Sequence, residues 1–377
     1  MRILYVTDAL AIWGGLERIL VEKMNYLAEE YGYEIYLSTS DQGDDPSPYL
    51  LSPKVKSSDL GVFYYRQYQY KGIKRIYVRY KLFSLYRRRL KKHVELLQPD
   101  IIICARLYLV SLVLKIKGDV PLLFESHSLK ITYSTENQGM LASIKMKYYL
   151  SQIRKTRMVV ALTDSDAADW KSICNNVCTI TNMVHLNTSG KYSDCSSKRA
   201  VFAGRFSIQK DMSSLIKIWA IVHDKFPEWE LHIYGGYGEE QDCYKALNDN
   251  TNLNIIVHEP TSQIFEVYQK SSMLLLTSQF EPFGLVLPEA MSCGLPVVAF
   301  DCPYGPAEII TDGVDGFLIK DRDVLEYANK VCMLIDDISL RQKMGKAGIL
   351  SSQRFSANII MPKWKNLFEM IVKDNNN

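Results

Sequence analysis

Residues Ser278–Gly294 read SQFEPFGLVLPEAMSCG, a strand end, a loop and the start of a helix. The apolar run Met273–Thr277 before it has the length of a buried strand. Phe283 and Gly284 then open a helix predicted to run to about Cys293, with Gly294 as its stop. Pro288 is compatible with that helix only near the first turn, where backbone N–H groups have no helical partner. The free N–H groups of Gly284, Leu285 and their neighbours up to Leu287 are predicted to form an anion site, strengthened by the helix dipole. Glu281 stands just before the helix and Glu289 in its second turn, so an anion at the helix start has a carboxylate on either side. Carboxylates accept hydrogen bonds from sugar and ribose hydroxyls well. A phosphate cradle between such acceptors suits a nucleotide-sugar.

Outward from this stretch, the chain is long for one hydrophobic core: 377 residues make two domains the default. No run approaches the eighteen or so uncharged apolar residues of a spanning helix. The first strand begins at Arg2, which leaves no room for a signal peptide and predicts a cytoplasmic protein. Eight cysteines are scattered without a paired framework and read as reduced thiols. Net charge is +3, unevenly spread. Residues 1–180 carry 26 Lys and Arg against 18 Asp and Glu, and the remainder is acidic. A basic first half predicts an anionic partner there.

The order of elements predicts two α/β domains. Arg2–Thr7 reads as a strand, followed by a loop ending in Gly14-Gly15 and an amphipathic helix to about Tyr31. This is the first βα unit of a doubly wound sheet, with its loop at the ligand-binding edge. Strands follow at Glu34–Thr39, Asp100–Cys104, Pro121–Glu125, Met158–Leu162 and Val177–Thr181, while residues 41–58 read as loop. Thr163 with Asp164-Ser165-Asp166 has the DxD spacing of some metal sites, but an N-cap followed by first-turn acids explains it, and no metal is expected. Polar, turn-rich residues 187–198 read as the interdomain linker. A second set of αβ units runs from Ala200–Phe206 to Phe317–Ile319, then helices over about 323–335, 339–350 and 357–373.

Glu281 and Glu289, with seven residues between them in EPFGLVLPEAMSCGLPVVAFD, resemble the signature of the large retaining glycosyltransferase family 4, which has the GT-B fold. CPYGPAEIITDGVDGFLI extends the resemblance to a run of about forty residues, and the whole run, not the pair of Glu, makes it specific. The resemblance implies two Rossmann-like domains facing across a cleft: an acceptor-binding domain over 1–186, a donor-binding domain over 199–355, and a final helix over 356–377 that crosses back to the first. It implies transfer of a sugar from a nucleotide-diphosphate sugar to a hydroxyl, with retention and without a metal or other cofactor. Arg205 and Lys210 match the family's GR…K pattern and would stabilise the departing diphosphate. Glu281 would orient the sugar and support developing positive charge; Glu289 would hold the ribose. Gly15 matches the N-terminal glycine loop, Gly235 and Gly236 the loop that passes under the nucleotide, and Phe283, Gly284 and Leu285 the donor loop. His127, after the strand ending at Glu125, would contact the sugar near the reacting carbon. His258 departs from the family, which often has Gly there, and Met183 replaces the Pro of its domain-closing turn. A nucleotide-sugar epimerase and a non-catalytic nucleotide-sugar-binding partner are the alternative functions.

From Leu60 to Val94 the chain has eleven Lys and Arg, seven Tyr and no acid. Within it Ile76, Tyr80, Phe83, Tyr86, Leu90 and Val94 fall at helical spacing, continued by Leu97. One reading is a helix with a core-facing stripe and a solvated basic back. The other is an anionic membrane surface met by Arg66–Lys92, with Met140–Arg157 as a second basic contact. No nucleic-acid motif is present. Because many members of the resembled family extend lipid carriers at the inner membrane face, the resemblance implies a lipid-linked saccharide acceptor and a peripheral position there.

Overall fold

Two parallel sheets account for the apolar runs. The computed structural model of the chain describes residues 1–127, 140–236 and 251–376. It divides into one compact unit of Met1–Met183 with Met361–Asn377, and another of Val184–Ile360.

The first unit is built from β1 (Arg2–Val6), α1 (Gly15–Glu29), β2 (Glu34–Thr39), β3 (Lys56–Asp59), α2 (Gly72–Leu97), β4 (Ile101–Cys104), α3 (Leu107–Val113), β5 (Leu122–Glu125), α4 (Met140–Ile153), β6 (Met158–Ala161), α5 (Asp164–Lys171) and β7 (Val177–Thr179). The sheet order is β3-β2-β1-β4-β5-β6-β7, and every pairing is parallel. β4 and β5 are buried along their whole length, as strands of a sheet covered on both faces must be. The winding direction reverses between β1 and β4, which places a ligand crevice at their carboxyl ends.

β3 lies inside the stretch predicted as loop, and it is exposed throughout. Its sequence KSSD has no apolar alternation because an edge strand needs none; polar residues there discourage further pairing. The α2 stripe also divides. Tyr86, Leu90 and Val94 are buried in the core with Leu4, Val62 and Ile102. Ile76 and Tyr80 are 68% and 72% exposed. The core-facing reading therefore holds for the second half of the helix and fails for the first. At the head of α5, Thr163 Oγ1 accepts the Asp166 N–H at 3.1 Å, so helix capping accounts for the DSD run.

The second unit contains β8 (Arg199–Ala203), α6 (Met212–Lys225), β9 (Glu230–Tyr234), β10 (Ile255–His258), α7 (Ile264–Gln269), β11 (Met273–Leu276), α8 (Val286–Ser292), β12 (Val297–Phe300), α9 (Gly305–Ile309), β13 (Gly316–Ile319), α10 (Val324–Asp336) and α11 (Ile338–Ser352). Its sheet runs β10-β9-β8-β11-β12-β13, again parallel, and reverses between β8 and β11. Phe202, Phe206, Trp219 and Tyr327 fill its core without exposure. Residues 187–198, predicted as a linker, are fastened to this unit. Asn187 N–H donates to Ser292 Oγ at 3.0 Å, Ser193 N–H to the Cys293 carbonyl at 2.8 Å, and Arg341 Nε to the Cys195 carbonyl at 3.1 Å. The final helix, α12 (Ala357–Asn376), has Pro362 within it, close to the Ile360/Met361 division of the units. No helix among the described residues is long and apolar enough to cross a membrane.

Candidate functional site

In the second unit the loops after β8 and β11 leave neighbouring strands at the reversal of winding, so residues about 70 apart in sequence meet. Lys210 Nζ donates to Glu281 Oε1 in a short ion pair. Ser278 Oγ donates to the same oxygen at 2.7 Å. The Glu281 backbone is pinned as well: its N–H donates to the Pro303 carbonyl and its carbonyl accepts the Gly305 N–H, both at 2.9 Å. Thr277 Oγ1 donates to the Lys210 carbonyl at 2.9 Å, and Gln279 N–H to the Gln209 carbonyl at 2.7 Å. The two loops are thus stitched into one rigid edge. Phe206 is buried and anchors the first loop, whereas Arg205 beside it is exposed and has no carboxylate or hydrogen-bond partner among the described residues. The edge therefore offers one uncovered guanidinium, one ammonium already on a carboxylate, and a carboxylate that is only 5% exposed.

Two glycines are required here by geometry. A Cβ on Gly235 would lie 1.9 Å from the Gly204 carbonyl oxygen, so the loop after β9 touches the loop after β8 backbone to backbone. Gly236 follows it, with Pro260 as its neighbour. Gly284 has φ +96°, a region a side chain resists. That conformation also corrects the predicted helix start. A residue at this φ is not helical, so α8 begins at Val286 with Leu285 as its N-cap, and Leu287 N–H is already spent on the Gly284 carbonyl at 3.0 Å. The anion cradle expected over Gly284–Leu287 loses its last amide, and a helix of seven residues adds little dipole to it. Phe283 is 2% exposed and packs edge-on against Phe355 at 5.3 Å, so its side chain is core and only its backbone faces the loop. Glu289 is buried in α8.

Sequence reading missed three features of this edge. Arg322 Nη2 pairs with Asp211, and Arg322 Nη1 donates to the Ser278 carbonyl at 2.9 Å, so it clamps both loops from a third position. Asp211 (φ 50°) also caps α6 through Ser214 N–H at 3.1 Å. At the ends of β9 and β10, the Tyr234 and His258 rings stack 4.3 Å apart, and His232 Nδ1 lies 2.8 Å from His258 Nε2. Burial pushes both His232 and His258 down, helped at His258 by the adjacent ring and Arg199. His258 thus supplies a flat aromatic surface where a Gly was expected.

In the first unit His127 follows β5, with Nε2 3.0 Å from Glu125 Oε1. Glu125 is buried and also pairs with the buried Lys23, whose ammonium lies 4.1 Å from the centre of the Trp364 ring. Burial raises Glu125, but Lys23 and His127 outweigh it and hold the carboxyl at about 2. The Lys23–Glu125 pair spans 102 residues and had no local signal. Gly15 is exposed in the first turn of α1, capped by Gly14. Its surroundings are acidic: Arg106 lies 3.2 Å from Asp8 and 2.9 Å from Glu17, and Tyr108 donates to Asp8. Two carboxylates share one guanidinium there, which suits hydroxyl acceptors better than phosphate. Among the described residues no group of three or more His, Cys, Asp and Glu is placed to hold a metal ion.

The comparisons with known proteins agree with this architecture. Residues 13–188 match the model of Glycosyltransferase Family 4, and residues 193–350 match that of Glycosyl transferases group 1. An uncharacterized glycosyltransferase of Haemophilus influenzae is 26% identical over 361 residues, covering 94% of this chain and 96% of that protein. The poly(ribitol-phosphate) alpha-N-acetylglucosaminyltransferase of Staphylococcus aureus is 29% identical over 226 residues, covering 59% of this chain but only 46% of its own length. A crystal structure of S. aureus TarM, in complex with UDP among other ligands, superposes with a TM-score of 0.80 at 17% identity, covering 97% of this chain and 99% of that one. At that identity the likeness speaks for the fold, which is the two-domain α/β GT-B fold. With two domain models matching in succession along nearly its whole length, the chain belongs to the glycosyltransferases of family 4 and group 1.

Proposed function

We propose that this glycosyltransferase moves a hexosyl group from a nucleotide-diphosphate sugar to a hydroxyl of a lipid-linked saccharide, with retention of configuration, in the assembly of a cell-surface polysaccharide. The observation that carries the donor half is the Lys210–Glu281–Ser278 cluster beside the uncovered Arg205. As the bond between the sugar and the diphosphate breaks, negative charge grows on the leaving oxygens, and fixed cations stabilise it without reorganising. Arg205 takes that charge directly. Lys210 shares its ammonium between the diphosphate and Glu281, and Glu281 supports the positive charge that develops at the anomeric carbon. Glu289 holds the ribose, the loop at Gly235 and Gly236 gives the nucleotide close backbone approach, and the Tyr234–His258 rings offer a stacking surface to the base. His127, oriented by Glu125, contacts the sugar. The cations do the work a metal does elsewhere, so no metal is required. The basic, acid-free segments of the first unit hold the protein at an anionic membrane at its cytoplasmic face.

The S. aureus relative named for poly(ribitol-phosphate) supports a cell-envelope polymer as the product class. The experiment is a transfer assay with UDP-, GDP- and ADP-sugars and a panel of lipid-linked saccharides, with the product's anomeric coupling read by NMR. Transfer with an unchanged anomer is expected. An inverted anomer overturns retention, and an epimerised sugar formed from donor alone overturns transfer.

A further inference from the structure

The exposed half of α2 does not simply face solvent. With α3, α4 and the turn at Tyr64 it walls a cavity of about 370 Å³, within the ~300–1,000 Å³ typical of small-molecule sites. Ile76, Tyr80 and Phe83 of α2, Leu109 and Leu112 of α3 and Tyr148 of α4 make its walls apolar. Arg79, Lys115 and Lys145 stand among them. These cations have no carboxylate partner among the described residues; Lys145 lies over Tyr149 at 5.5 Å, Lys115 over Phe83 at 5.5 Å, and the nearby Arg75 over Tyr68 at 4.7 Å. Burial, then the positive charges of Arg79 and Arg75, push Lys145 down, so both guanidinium groups lie near enough to act on it. On the same helix Ile73 and Tyr77, which do not line the cavity, are 86% and 56% exposed. An acid-free ring of cations around an apolar cavity is complementary to a molecule that is anionic at one end and hydrocarbon at the other. A polyanionic polymer would use the cations but leave Ile76, Phe83 and Leu109 without a purpose.

We propose that this cavity binds one hydrocarbon chain of a phosphate-bearing lipid, with the phosphate on Arg79 and Lys145. The inference rests on the lipid-facing role proposed for the first unit and sharpens it: the lipid is held in a built site, not only by surface charge.

The test is calorimetric titration of the full chain with octyl, decyl and dodecyl phosphate below their micelle concentrations, beside inorganic phosphate and uncharged dodecyl maltoside. Saturable binding of one molecule is expected, tightening with chain length toward the about fourfold per methylene that complete burial gives. Ile76→Asp should weaken dodecyl phosphate at least tenfold. Arg79→Gln with Lys145→Gln should abolish the preference for dodecyl phosphate over the maltoside. Ile76 is exposed, so its variant tests the cavity without touching the core. Affinity independent of chain length, or unchanged in Ile76→Asp, overturns the proposal. Co-sedimentation with phosphatidylglycerol vesicles separates the two readings. If vesicles still capture the chain while alkyl phosphates do not bind, the cavity site falls and the membrane reading stands. If neither binds, both fall.

Discussion

Arg205 and Lys210 were both expected to stabilise the departing diphosphate, and the structure separates them: Arg205 is exposed, whereas Lys210 is paired with Glu281. Arg205 has no partner among the described residues, so Arg205→Ala should lower turnover by about two to three powers of ten, the typical effect of losing one charge-stabilising donor. Its melting temperature should not move. Lys210→Ala should lose turnover similarly but also melt earlier, because Glu281 would be left buried without its cation, at a cost of ~1–3 kcal/mol. Wild-type turnover in Arg205→Ala, or identical melting of the two variants, contradicts this division. The two acids divide by step: Glu281→Gln should chiefly lower kcat, and Glu289→Gln chiefly raise KM for the donor. Equal effects on both parameters in both variants would count against it. The residues Glu281, Glu289, Arg205 and Lys210 were nameable as candidates from the sequence because each sits in a short contiguous motif. Arg322, Ser278 and Glu125 were not. Arg322 reaches the site across 111 residues to Asp211, and Lys23 reaches Glu125 across 102, separations at which spacing carries no information.

Among the elements, the two sets of αβ units were legible in the alternation of apolar runs with amphipathic helices, whereas the strand order within each sheet comes from the structure. What was misread follows from elements whose environment changes along their length. β3 is an edge strand and carries no apolar signal. The α2 stripe is continuous in sequence, but only its second half is buried in the core, while Ile76 and Tyr80 of the first half are exposed. Arg89, grouped with the surface cations, in fact donates to the Leu60 and Gly61 carbonyls and holds the approach to α2. Substituting Arg87–Arg89 as a block would therefore confuse surface charge with a structural bond. Two carboxylates give the first unit opposite pH signatures. Glu125 is held at about 2, below its ordinary 4.5, so its stabilisation is complete above about pH 4.5 and is lost as pH falls toward 2. Asp41 behaves the other way. Burial raises it to about 6, against the Tyr64 N–H bond and with Asp8 and Asp59 adding to the rise. Its folded form prefers the proton, so it costs stability increasingly as pH rises from about 4 through 6. Asp41→Asn should stabilise the chain at pH 7.5 and leave it unchanged at pH 4, read as the shift in urea midpoint. A stabilisation of equal size at both pH values would contradict the assignment.

For the molecule as a whole, the proposed donor site lies in the second unit and consists of Arg205, the Lys210–Glu281 pair and Glu289. Metal independence follows from the same site: transfer should survive EDTA, and restoration by Mg²⁺ or Mn²⁺ after loss would return Asp164 and Asp166 to consideration. The most direct measurement is a thermal-shift screen of the full chain against UDP-, GDP- and ADP-sugars, repeated with Arg205→Ala and Glu289→Gln. A ligand present at a hundred times its Kd stabilises the fold by about 2.7 kcal/mol, so a true donor should stand out from the others. One nucleotide class should raise Tm in the unaltered chain, by a shift that shrinks in both variants. A chain that no nucleotide-sugar stabilises, or a shift of full size in both variants, would contradict it.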